Sequence, residues 1–193
     1  MTKLKALISA TFTVAVIAGT PSHAADTEAL AAEARGAMKA LGGQLKERLQ
    51  AAMKEGGPGK AITVCNTLAL PIGRKVSLSA GMDVGRTSLK LRNPENAPDD
   101  WELAQLQNFE ALKAKGEPVK KMEHYEIVEA NGKKLFRYMK PIPTGRVCTT
   151  CHGENLNPTI AEKLDELYPE DKARGFNEGD IRGAFTISKP VYD

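Results

Sequence analysis

The sequence predicts an α+β domain: an antiparallel sheet flanked by helices, entered through a long N-terminal helix. Three observations carry this. Apolar residues recur at helical spacing over residues 26–55 and again from Lys60 onward. Two alternating segments meet at Asn131-Gly132, a dipeptide suited to a two-residue hairpin turn. The patterns run helices first and then strands mixed with helices, without the strict strand–helix alternation of a parallel sheet.

In the first helix Leu30, Ala34, Met38, Leu41, Leu45, Leu49 and Ala52 form one stripe at steps of three and four. Asp26 suits its N-cap, Gly42-Gly43 weakens its middle, and Gly56-Gly57-Pro58-Gly59 ends it. The second helix puts Ile62, Cys65, Ala69, Ile72 and Val76 on one face, so Cys65 is expected to be buried. Pro71 should kink this helix and Gly81 should close it. Residues 84–92 read as a strand, with Arg86, Ser88, Lys90 and Arg92 on one side. After a turn-rich loop, Asp99 or Asp100 caps a third helix, which sends Trp101, Leu106, Phe109 and Leu112 toward the sheet. The hairpin arms are expected near 121–128 and 134–139, a short helix at 158–167, a polar loop at 168–179 and a last strand at 180–189.

The chain starts like an exported protein. Lys3 and Lys5 precede an apolar run up to Ala18, and small residues cluster at Ser22, Ala24 and Ala25. This predicts a signal peptide over 1–24, a single domain over 25–193 and a periplasmic location, with no membrane span left after cleavage. Cleavage removes Lys3 and Lys5, taking the basic residues from 27 to 25 against 24 acidic ones. A balance near neutrality argues against nucleic acid as a partner.

Chemistry is concentrated in Cys148-Thr149-Thr150-Cys151-His152, a C-x-x-C-H stretch. Two thiols at this spacing can each form a thioether with one haem vinyl group, and the histidine that follows becomes an axial ligand. A redox C-x-x-C belongs in a βαβ setting and a zinc site needs a second ligand pair, and neither context is present. The expected cofactor is therefore one covalently bound haem c. The other axial position is open at this point. Cys65, the third of three cysteines, has no disulfide partner, and an idle thiol is a liability in an oxidising compartment. His124, Met82, Met122 and Met139 are alternatives, as is an iron with no second protein ligand. Arg86 is the preferred anchor for a haem propionate, with Lys90 and Arg92 on the same expected face.

Four separated stretches carry a resemblance: Ala61 to Asn66, Val84 to Asp99, Cys148 to Gly153, and Asp180 to Ala184. In this order they resemble a family of exported monohaem c-type domains with a PAS-like α+β fold, long labelled only as a domain of unknown function. The resemblance implies iron held by His152 and by the thiolate of Cys65. It implies a stand-alone cytochrome, because the sensor-type members continue into signalling modules. The function so implied is low-potential electron transfer or redox sensing, with an unidentified periplasmic redox partner, more a carrier or sensor than an enzyme. A sensor of nitric oxide or carbon monoxide is the alternative, and a component of sulfur oxidation is the weakest.

Overall fold

The computed structural model describes residues 22–130 and 132–192, so most of the expected signal segment and the turn residue Asn131 lie outside the described residues. Helix α1 spans Ser22–Ala80 and is broken at Gly56 (φ −153°, ψ 19°) and Gly57 (φ 67°, ψ −163°). The two expected helices are thus the arms 22–55 and 58–80. The positive φ at Gly57 is a conformation that glycine adopts without steric cost. Strand β1 (Asp83–Thr87) follows, then α2 (Asp100–Ala114), β2 (His124–Ala130), β3 (Lys133–Pro143), the single turn α3 (Thr149–His152), α4 (Pro158–Leu167) and β4 (Ile181–Val191). The four strands form one antiparallel sheet in the order β1-β4-β3-β2.

Strand alternation assigns the two faces of the sheet. Phe136, Tyr138 and Ile187 point to one side and bury against Ala31, Ala34, Leu41 and Val76 of α1. Met139 and Ala184 point to the other side and bury against Leu106 and Phe109 of α2. Trp101 and Leu112 pack at the edge of this second cluster, as their helical spacing predicts. Asp99 and Glu102 form a reciprocal capping box at the start of α2. Gly42, expected only to weaken α1, has a packing reason: a Cβ there would lie 3.0 Å from the Phe185 ring of β4. No helix among the described residues is long and apolar enough to cross a membrane.

Three local expectations change. Helix α1 already runs from Ser22, so Asp26 lies inside it and is not its cap. Pro71 leaves the backbone angles around it helical, and the break is at Gly56-Gly57 instead. The strand expected over 84–92 stops at Thr87. The reason is the Ser88 hydroxyl, which donates to the Arg182 carbonyl (2.8 Å) and accepts from the Lys90 backbone N–H (3.2 Å). A side chain thereby takes over contacts that a backbone ladder would make, and the chain turns away. Lys90 consequently leaves the Arg86 face and sits 5.0 Å from the Phe176 ring centre.

Candidate functional site

Between the two arms of α1 and the end of the sheet where β1 meets β4 lies a cavity of about 300 Å³. Cys65, Arg86, Cys148, Cys151 and His152 all line it, so the structure brings the five sequence-predicted site residues to one place. The other candidates for the second axial position lie elsewhere. Met82 is in the core under α1, and Met122 and Met139 are in the core under α2. His124 contacts Glu126 (3.1 Å) and packs beside Trp101. Cys65 does share its helix face with Ile62, Ala69 and Ile72, but that face looks into the cavity. The thiol thus faces cavity space rather than the packed core that the spacing suggested. Surrounding protein still pushes its pKa up by desolvation, while Arg86, Arg92 and Arg182 pull against that shift.

The C-x-x-C-H stretch is held by a tight turn at Arg146–Cys148 followed by α3. Three residues apart on a helical turn, Cys148 and Cys151 fall on one side. Gly153 follows because the chain doubles back there: a Cβ would lie 2.5 Å from the Thr149 carbonyl oxygen. The His152 ring is fixed by its own hydrogen bond. Nδ1 lies 2.8 Å from the Ala173 carbonyl oxygen. A carbonyl only accepts, so Nδ1 carries the hydrogen and Nε2 keeps its lone pair, which in this structure lies 3.4 Å from Arg92 Nη1. Burial, reinforced by Arg182 and Arg92, holds the His152 pKa well below the usual histidine value. The imidazole is thus neutral, in the tautomer that a metal-binding Nε2 requires.

Four arginines line the cavity: Arg48 from α1, and Arg86, Arg92 and Arg182 from β1, the segment after it and β4. Arg86 pairs in register with Phe185 on the α1 side of the sheet. Arg92 lies in the bent segment after β1 and is neutralised by the buried carboxylate of Asp171. Arg182 was not singled out by the sequence, and its aim comes from an irregularity in β4. Ile142 pairs with Gly183 and Pro143 with Ile181, which leaves Arg182 as the extra residue of a β-bulge. Gly183 makes this possible, with φ of 152° and a site where a Cβ would come within 2.4 Å of the Thr87 carbonyl oxygen. Burial lowers the pKa of Arg86 and, with repulsion from Arg86 and Arg92, lowers that of Arg182 to about 10. Among the described residues neither Arg86 nor Arg182 has a carboxylate partner.

This donor set fits a haem. The two thiols and the imidazole of the C-x-x-C-H stretch line the cavity that Cys65 also lines, and the buried guanidiniums of Arg86 and Arg182 can each meet a propionate. Among the described residues no three His, Cys, Asp or Glu side chains cluster closely enough to hold a bare metal ion. The family model described as Tll0287-like matches residues 20–190. The chain belongs to the Tll0287-like family. The matched span includes all five site residues and all four resembling stretches. Among solved structures, the crystal structure of the cyanobacterial heme-protein Tll0287 aligns with a TM-score of 0.57 at 21% identity, covering 91% of this chain and 99% of that one. The likeness establishes a shared fold. No curated protein matches the chain.

Proposed function

We propose that this protein is a periplasmic monohaem c-type cytochrome with a PAS-like fold, its iron ligated by His152 and Cys65, serving low-potential electron transfer or redox sensing. The observation that carries the reading is the shared cavity. Cys148, Cys151 and His152 line it together with Cys65, while the competing methionines and His124 pack elsewhere. The family match supports it, as does the solved neighbour, which is itself a haem protein.

A haem bound there supplies an iron that cycles between the ferric and ferrous states. The roles of the chain's own residues follow from their chemistry. Cys148 and Cys151 tether the group through thioethers. His152 gives a neutral nitrogen, oriented by Ala173. Cys65 binds as a thiolate, which favours the ferric state and sets the potential low. Arg86 and Arg182 hold the propionates by charge-assisted hydrogen bonds. Intact mass after periplasmic expression tests the covalent part: the mature chain from near Ala25 plus one haem is expected, and the bare chain would overturn it.

A second reading is a sensor in which nitric oxide or carbon monoxide displaces the Cys65 thiolate, whose bond should weaken when the iron loses a positive charge on reduction. Stopped-flow mixing of the ferrous protein with each gas separates the two. Rapid ligand exchange at Cys65 supports the sensor, and no spectral change supports the carrier.

A further inference from the structure

We propose that Asp171 and Arg92 form a charge-compensated clamp that orients the His152 imidazole, making both positioning residues for the axial ligand. The inference rests on the assignment of His152 given above. The Asp171 side chain is completely buried and sits at the centre of the arrangement. One of its oxygens accepts from Arg92 Nε (3.1 Å) and from the Ala173 backbone N–H (2.9 Å). The other accepts from Arg92 Nη2 (3.1 Å) and Arg174 Nε (2.8 Å).

Arg92 then reaches from this fork to the ligand turn. Its Nη2 donates to the Cys151 carbonyl (2.6 Å) and to the Ala173 carbonyl (3.2 Å), the group that receives the His152 Nδ1 hydrogen, and its Nη1 lies 3.4 Å from His152 Nε2, a long contact that iron at Nε2 would replace. Asp171 therefore fixes Ala173 twice, through its N–H directly and through its carbonyl by way of Arg92. The Lys172 N–H bonds the Leu91 carbonyl (2.7 Å), pinning this loop to the segment that carries Arg92. A carbonyl with two lone pairs can serve Arg92 and His152 at once, and the guanidinium decides which way it points. Partners at this remove set the tautomer, ring orientation and basicity of a metal-bound histidine. Lysine cannot replace Arg92 here, because an ammonium has no planar fork to bind Asp171 bidentately while reaching two carbonyls.

The competing account is an ion pair that only ties the loop to the core. Both accounts predict lost thermal stability on mutation, so the test reads the haem. In the holoprotein, Asp171→Asn and Arg92→Lys should each broaden or split the ferric low-spin electron paramagnetic resonance signal, as the His152 ring samples more than one orientation, and each should shift the reduction potential. Arg92→Lys keeps the charge, so a shift in that variant is not a through-space charge effect. Arg174→Ala is the control. It removes another partner of Asp171, but its second bond goes outward to Asp165; it should lower the melting temperature with the signal unchanged. A single wild-type signal and potential in both clamp variants would overturn the proposal. Should neither variant accumulate as holoprotein, proton exchange at His152 Nδ1 in the ferric wild type decides: protection supports the clamp, and free exchange overturns it. If His152→Met left the ferric spectrum unchanged, the ligand assignment itself would fall, and the clamp with it.

Discussion

Arg86 and Arg182 are guanidiniums pressed into protein without a carboxylate among the described residues to meet them, and burial costs each several kcal/mol unless an anion compensates. The lowered pKa of Arg182, to about 10, records that cost and the mutual repulsion of the cavity's arginines. A propionate in contact with either would gain roughly 1.5–3 kcal/mol per charged hydrogen bond. Arg182→Gln should therefore raise the pKa of the propionate it holds and move the pH-dependent segment of the reduction potential to higher pH. Removing a positive charge should also lower the potential at neutral pH. Redox titrations between pH 5 and pH 9 check both; coincident curves for the variant and wild type would refute the role, and Arg86→Ala is read the same way. At Cys65 the expectation is more drastic. Cys65→Ala should retain the covalent haem, raise the potential, and convert the ferric spectrum from low-spin and thiolate-ligated to high-spin or to another ligand set. An unchanged spectrum would remove Cys65 from the iron.

At the scale of elements, the bulge in β4 is what aims Arg182. Gly183→Ala places a Cβ within 2.4 Å of the Thr87 carbonyl oxygen at a φ of 152°, so the bulge must relax. A loss of about 1–3 kcal/mol is expected in denaturant unfolding, from the strain alone. If the bulge aims Arg182, the potential should also move in the direction seen for Arg182→Gln. This site shows what could and could not be read from the sequence. The Cys65 face was legible because helical periodicity is local: Ile62, Cys65, Ala69 and Ile72 declare one side whatever lies opposite. What lay opposite was not legible, since the same pattern describes a core and a cavity wall. Arg182 was hidden because alternation assumes an unbroken strand, and one extra residue reverses the facing. The early end of β1 was hidden for a related reason. The Ser88 hydroxyl contacts a residue 94 positions away, and no local pattern encodes that. Asp171 looked like one more polar loop residue until the fold closed over it.

At the scale of the whole molecule, the sheet separates two tasks. Its α1 face carries the cavity at one end, and α2 packs the opposite face with an apolar cluster that includes no cavity-lining residue. The α1 side is tied to the sheet, away from the cavity, by Glu123. Arg35 of α1 donates to it at 2.7 Å, and the buried Tyr138 hydroxyl donates at 2.9 Å. The hydrogen bonds from Arg35 hold the Glu123 carboxyl below its ordinary value, against the opposing effect of burial. A carboxyl whose pKa is depressed by folding stabilises the protein above its unfolded pKa, and that contribution is lost as pH falls through the folded value. Protonation of Glu123 should therefore loosen α1 from the sheet under acid, over a window beginning near pH 5 and extending below the ordinary carboxylate range. Both side chains are about a quarter exposed, so the contribution belongs near the lower end of charged hydrogen bonds, on the order of 1–2 kcal/mol. Glu123→Gln should be less stable than wild type by that amount at pH 7, with the difference closing toward pH 3. Thermal unfolding followed by circular dichroism across this range provides the measurement. Glu123 does not line the cavity, so the variant's reduction potential at pH 7 should equal that of the wild type. A constant stability difference across the pH range would show that the Glu123 charge contributes nothing, and a shifted potential would show that the two ends of α1 are coupled.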